Sequence, residues 1–187
     1  MRPLAWIIVL VTAGCALFRP PTATPTPPWP ALEASNFGAM HNVSKCGEVW
    51  FGGGVTAEDV DLAQRRGVKS LVDLSFPDED PGFDLGRECS DKKITYYNFQ
   101  LLSPDALTDK NAEDALYLFR DTEQHPLLVV CGSGSNGAMF FALWRVLDHQ
   151  MPFDDAREEA LRVGMQPGPI AAYLKEQAER LREKEEG

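Results

Sequence analysis

Hydrophobic and polar positions along this chain change their period several times, and each change marks an element. An apolar run from Leu4 to Ala13 follows the short basic start Met1-Arg2. It is shorter than the roughly 20 apolar residues a membrane-spanning helix needs and has the form of a signal-peptide core. Beyond the charge-free stretch Pro20 to Pro30 the pattern of a folded domain begins. Val49 to Gly52 reads as a short strand running into Gly52-Gly53-Gly54. Thr56 then caps a helix with Glu58 and Asp59 in its first turn and Arg65-Arg66-Gly67 at its end. Acids first, bases last and a glycine stop are the order that suits the helix dipole and a left-handed terminus.

Val68 to Leu74 (VKSLVDL) predicts a second strand, Leu85 to Asp91 a short helix, and Ile94 to Leu101 (ITYYNFQL) a strand of β-branched and aromatic residues. Thr108 is a further N-cap, for a helix reaching about Thr122 with Ala112, Ala115, Leu116, Leu118 and Phe119 at helical spacing. Leu127 to Val130 is wholly apolar, bounded by Pro126 and a Gly-rich turn, and predicts a central strand buried on both faces. Asn136 or Gly137 opens the apolar helix AMFFALWRVLDH, and a helix over Asp154 to Val163 stops at Gly164. From Ile170 to about Lys184 the chain is amphipathic, with Ile170, Tyr173, Leu174 and Leu181 inward. Strands alternating with helices predict an α/β fold: one three-layer domain with a mainly parallel central sheet flanked by helices.

The N-terminal boundary comes from composition. Thr12-Ala13-Gly14-Cys15 places small residues before a cysteine and resembles a bacterial lipobox, in which cleavage precedes Cys15 and that residue is acylated. The expected organisation is a lipoprotein signal over residues 1–14, a lipidated Pro/Thr-rich tether over 15–35 and the domain over 36–187. The tether composition favours extended polyproline structure, which would hold the domain off a membrane. Export and a lipid anchor are thus the expected membrane link, with the domain in the periplasm or another extracytoplasmic space.

Charge narrows the partners. The chain has 187 residues and a formal net charge of −10, so nucleic acid and anionic lipid surfaces would repel it. Of the four cysteines, Cys15 is assigned to lipid. Cys46 and Cys89, both in polar, loop-like contexts (SKCGE, GRECSDKK), are the candidate disulfide pair. The alternative is that Cys46, Cys89 and Cys131 all stay reduced. His41, His125 and His149 are scattered and none adjoins a cysteine at ligand spacing, so neither a metal nor another cofactor is expected. Asp78-Glu79-Asp80 reads as a solvated turn, because it lacks the glycine and distal glutamate of a calcium loop.

The chemistry concentrates at Leu127 to Arg145 (LLVVCGSGSNGAMFFALWR). An apolar strand delivers Cys131 to a loop of only Gly, Ser and Asn, and a helix follows at once. Small residues let a backbone curl and point successive N–H groups inward, and the helix start adds partial positive charge. Gly132, Ser133, Gly134, Ser135, Asn136 and Gly137 are therefore the expected anion-binding loop. Cys131 is the expected nucleophile, with its thiolate favoured by that loop.

This stretch resembles the Cys-dependent protein tyrosine and dual-specificity phosphatases. More closely, it is similar to a bacterial phosphatase-like group related to the beta-lactamase hydrolase-like domain. The resemblance runs from about Cys46 to Met165. It rests on Gly47-Glu48-Val49-Trp50-Phe51-Gly52-Gly53-Gly54, on Gly67 to Leu74, on Pro81-Gly82-Phe83, on Cys131-Gly132-Ser133-Gly134, and on Glu158-Glu159-Ala160-Leu161 to Gly164. It implies a dual-specificity phosphatase-like fold and hydrolysis of phosphomonoesters through a cysteinyl-phosphate. It also implies a general acid near Asp105, in the loop Ser103-Pro104-Asp105, whose other reading is a plain turn residue after proline.

Two departures cut against that activity. The superfamily loop is His-Cys-x5-Arg; here Val130 precedes Cys131, and Gly137 stands where the arginine belongs. Arg145 lies roughly 12 Å further along the helix axis. Loss of a bidentate, charge-assisted grip costs about a thousandfold in rate. The expectation is a phosphatase-like envelope lipoprotein, weak or inactive as a hydrolase, that binds an anion or a partner. The alternatives are an active hydrolase whose loop is rearranged, with Asn136 and backbone amides replacing the arginine, or a sulfurtransferase-like thiol enzyme. A phosphorylated substrate or anion is the expected ligand, and no protein partner is indicated.

Overall fold

The computed structural model describes residues 32–99, 109–166, 174–176, 178–180 and 183. In chain order the elements are β1 (Leu32–Ala34), β2 (His41–Cys46), β3 (Val49–Gly53), α1 (Ala57–Arg65), β4 (Ser70–Asp73), α2 (Leu85–Asp91), β5 (Thr95–Asn98), α3 (Asp109–Arg120), β6 (Leu127–Cys131), α4 (Ser135–Asp148) and α5 (Phe153–Arg162). The six strands form one sheet in the order β1-β2-β3-β6-β4-β5. β3, β6, β4 and β5 run parallel to their neighbours, whereas β1 and β2 extend the sheet antiparallel from β3.

β6 lies near the middle and is buried along its whole length, as its unbroken apolar run requires. Its side chains alternate between two cores. Leu127, Val129 and Cys131 join the core under α3, α4 and α5, while Leu128 and Val130 join the core under α1 and α2. The sheet is therefore covered by helices on both faces, and the predicted three-layer α/β architecture is what the chain adopts. Every residue from Ser135 to Val146 of α4 is buried, which explains why that helix reads as apolar all round. Leu174 and Ala178 pack into the same core.

Several sequence expectations need correction. Leu32–Ala34, inside the stretch read as tether, is an edge strand paired with Ser44 to Cys46. His41–Cys46 is a strand that its polar composition concealed, because Ser44 and Cys46 are the residues it turns inward. Cys46 is therefore not in a loop, and neither is Cys89, which is buried on α2 one turn after Leu85. The expected disulfide between them does not form: Cys46 belongs to the core on one face of the sheet and Cys89 to the core on the other. Burial pushes the Cys46 thiol up to about 11 and the Cys89 thiol up to about 12.

Candidate functional site

The site lies at the C-terminal edge of the parallel strands, where β3 and β6 end side by side. Gly53 pairs with Cys131, and the Gly54 N–H donates to the Cys131 carbonyl at 3.1 Å. Close approach requires the glycine here, since a β-carbon on Gly53 would stand 2.4 Å from the Ser133 carbonyl carbon. That contact accounts for the run Gly52-Gly53-Gly54. After Cys131 the loop curls through Gly134, which takes the left-handed φ of 87° that glycine tolerates best, and enters α4 at Ser135. The helix thus starts one residue before Asn136.

Gly134 provides no side-chain cap, so the helix amides point elsewhere. The Gly134 N–H donates to Cys131 Sγ at 3.0 Å, and the amides of Asn136 and Gly137 also favour the sulfur anion. Neighbouring groups brace the loop. Asn42 Nδ2 donates to the Ser133 carbonyl at 3.0 Å, Asn136 Nδ2 to the Leu74 carbonyl at 2.7 Å, and the Gln166 N–H to Ser135 Oγ at 3.1 Å. Asn136 Nδ2 is thereby committed to the residue that follows β4.

Burial, helped by the negative charge of Glu79, raises the Cys131 thiol above its ordinary range despite the three amides. Cys131 is 2% exposed, and removing a charge from water at that depth outweighs a few partial charges.

A cavity of about 380 Å³ opens above the sulfur, with Cys131, Gly132 and Ser133 on one side and Glu79, Asp80 and Gly54 on others. Among the described residues its lining contains two carboxylates and no lysine or arginine. The turn that supplies Glu79 is anchored from β4. Asp73 is 6% exposed and accepts from the Ser75 N–H at 2.9 Å, from Tyr96 Oη at 2.7 Å and from Asn98 Nδ2 at 3.2 Å. Glu79 itself accepts from the Phe76 N–H at 2.9 Å. Neither Asp73 nor Glu79 was among the residues singled out from sequence. The triplet Asp78-Glu79-Asp80 was visible but read as a solvated turn, and only the tertiary placement of the loop reveals that Glu79 faces Cys131.

The position where the superfamily has its arginine points inward. A β-carbon on Gly137 would sit 3.4 Å from Val129 Cγ1 and 3.8 Å from Phe51 Cδ1, in ordinary contact with the core. Arg145 is turned away as well: it is 1% exposed, pairs with Glu159 at 3.0 Å and packs over the rings of Phe141 and Trp144. Asp105 and Cys15 lie outside the described residues. Among the described residues no three His, Cys, Asp or Glu side chains gather as a metal site would need.

No family model matches the chain. The beta-lactamase hydrolase-like protein of Xylella fastidiosa is 29% identical over 126 residues, which cover 66% of this chain. The match takes in only 29% of that longer protein. Among solved structures, TpbA of P. aeruginosa superposes with a TM-score of 0.66 at 19% identity, over 87% of this chain and 99% of TpbA. Human DUSP28 does so with a TM-score of 0.57 at 15% identity, over 81% and 99%. The chain has the fold of the Cys-dependent tyrosine and dual-specificity phosphatases.

Proposed function

We propose that this protein is a phosphatase-fold lipoprotein of the cell envelope, anchored through Cys15, whose loop at Cys131 is degenerate and whose role is binding rather than turnover. One observation carries the reading: glycine stands at the arginine position, 137, and the lining of the cavity at Cys131 holds the carboxylates of Glu79 and Asp80. A phosphomonoester brought to Cys131 would meet the carboxylates of Glu79 and Asp80. The buried thiol adds a second obstacle, because the thiolate is the nucleophile and burial disfavours it. Asp105, at the place expected for the general acid, has little to protonate while the grip is missing.

The test is turnover of p-nitrophenyl phosphate by the full-length chain purified in detergent. The expected rate is indistinguishable from that of Cys131→Ser. Turnover well above that variant would overturn the binding reading and favour an active hydrolase with a rearranged loop, whose support is the set of amides directed at Sγ.

A further inference from the structure

The loop after Cys131 has the shape of an anion cradle, and a negative charge from the protein itself already sits against it. A β-carbon on Gly132 would stand 2.4 Å from Glu79 Oε1, 2.5 Å from Glu79 Cδ and 2.8 Å from Glu79 Cγ. The whole end of that side chain therefore lies on the first residue of the loop, in the wall of the Cys131 cavity. The carboxylate is held rather than wandering, because its other oxygen accepts the Phe76 N–H at 2.9 Å.

We infer that Glu79 is a built-in occupant of the Cys131 loop, a specificity-determining carboxylate that keeps oxyanions out. The inference rests on the reading of Cys131 as the centre of the site and deepens it by naming what the site rejects.

The charges around the sulfur support this assignment. Asp80 lines the same cavity but turns Oδ1 to the Gly82 N–H at 2.8 Å. His41 stands behind the opposite wall, its ring within 2.6 Å of where a β-carbon on Gly54 would be. The first turn of α4 carries no acidic side chain. Among the described residues, Glu79 is the charged side chain whose field is felt at Cys131, and it acts against the thiolate. Two like charges side by side repel, so phosphate or sulfate would have to displace the carboxylate or accept its repulsion. The ligand class that fits beside Glu79 is neutral or cationic.

The experiment compares the full-length chain with Glu79→Gln, which keeps an oxygen for the Phe76 N–H but loses the charge. Alkylation of Cys131 by iodoacetamide is followed across pH by peptide mass spectrometry, with and without sulfate. In Glu79→Gln the alkylation profile should move to lower pH, giving several-fold faster labelling at neutral pH. Sulfate should slow labelling in that variant and leave the natural protein unaffected. Asp78→Asn removes the same charge from an exposed position in the same turn and should leave the profile in place. An unchanged profile in Glu79→Gln, an equal shift in Asp78→Asn, or sulfate protection already present in the natural protein would each overturn the assignment. None of these outcomes bears on p-nitrophenyl phosphate turnover, so the impaired-phosphatase reading stands or falls separately.

Discussion

Two helices begin at the same edge of the sheet, α1 after β3 and α4 after β6, and they treat their first amides in opposite ways. α1 is closed by its own sequence: Thr56 accepts from the Asp59 N–H, and Asp59 reaches back to the Thr56 N–H at 3.0 Å. Asp59 also accepts from Thr56 Oγ1 at 2.9 Å and from the Ala39 N–H at 2.8 Å, tying the helix to the preceding chain. α4 has Gly134 at the equivalent place and no side-chain cap; its amides converge on a sulfur. A capped helix start is finished structure. An uncapped one over a cysteine is a place where something can be bound, and its stability must come from the buried length of the helix behind it.

The largest expected effect would break this contrast from the α4 side. Gly137→Arg restores the superfamily's arginine in the sequence, yet it drives a guanidinium toward Val129 and Phe51. Urea unfolding should show a loss of about 4 kcal/mol, from an unpaired buried charge and overpacking together. p-Nitrophenyl phosphate turnover should not appear. A stable and active Gly137→Arg would mean that the helix start can rotate its side chains into the cavity.

From the α1 side, Asp59→Ala strands three donors at a position 1% exposed. It should cost about 3 kcal/mol in the same unfolding measurement; a loss under about 1 kcal/mol would show that water replaces the carboxylate. The smallest change, Thr56→Ala, removes the cap hydroxyl alone and should cost about 1 kcal/mol by thermal melting, with Cys131 alkylation unchanged. A change in that alkylation rate would mean the two helix starts are coupled through Gly53 and Gly54 and are not the independent devices described above.

The α1 start was legible because it is local: a threonine followed three residues later by an acid is written within one turn. The same holds for α2, whose predicted span Leu85 to Asp91 is the observed one, and for β6, whose apolar run can be nothing but a doubly covered strand. Features that depend on residues far apart stayed hidden. β2 was missed because an edge-side strand can turn Ser44 inward and keep His41 and Asn42 outside, which leaves no hydrophobic alternation. Cys89 sits in a polar string, yet its one-turn spacing from Leu85 buries it. At the site, the cysteine and its small-residue loop were plain, and so was the missing arginine. Helix amides beside the sulfur can be inferred from neighbouring sequence, whereas the depth of burial of Cys131 and the arrival of Glu79 cannot.

The position of β6 also dictates when the site can exist during folding. β3 and β4, which precede it in the chain, both pair with it and not with each other. Until residues 127–131 arrive, these two strands expose apolar edges with no partner between them. Closing such long-range pairings is slow, and it leaves the waiting strands open to aggregation. The strand that completes the sheet is the one that carries the cysteine, so the chain cannot display Cys131 before it has a folded core to display it on.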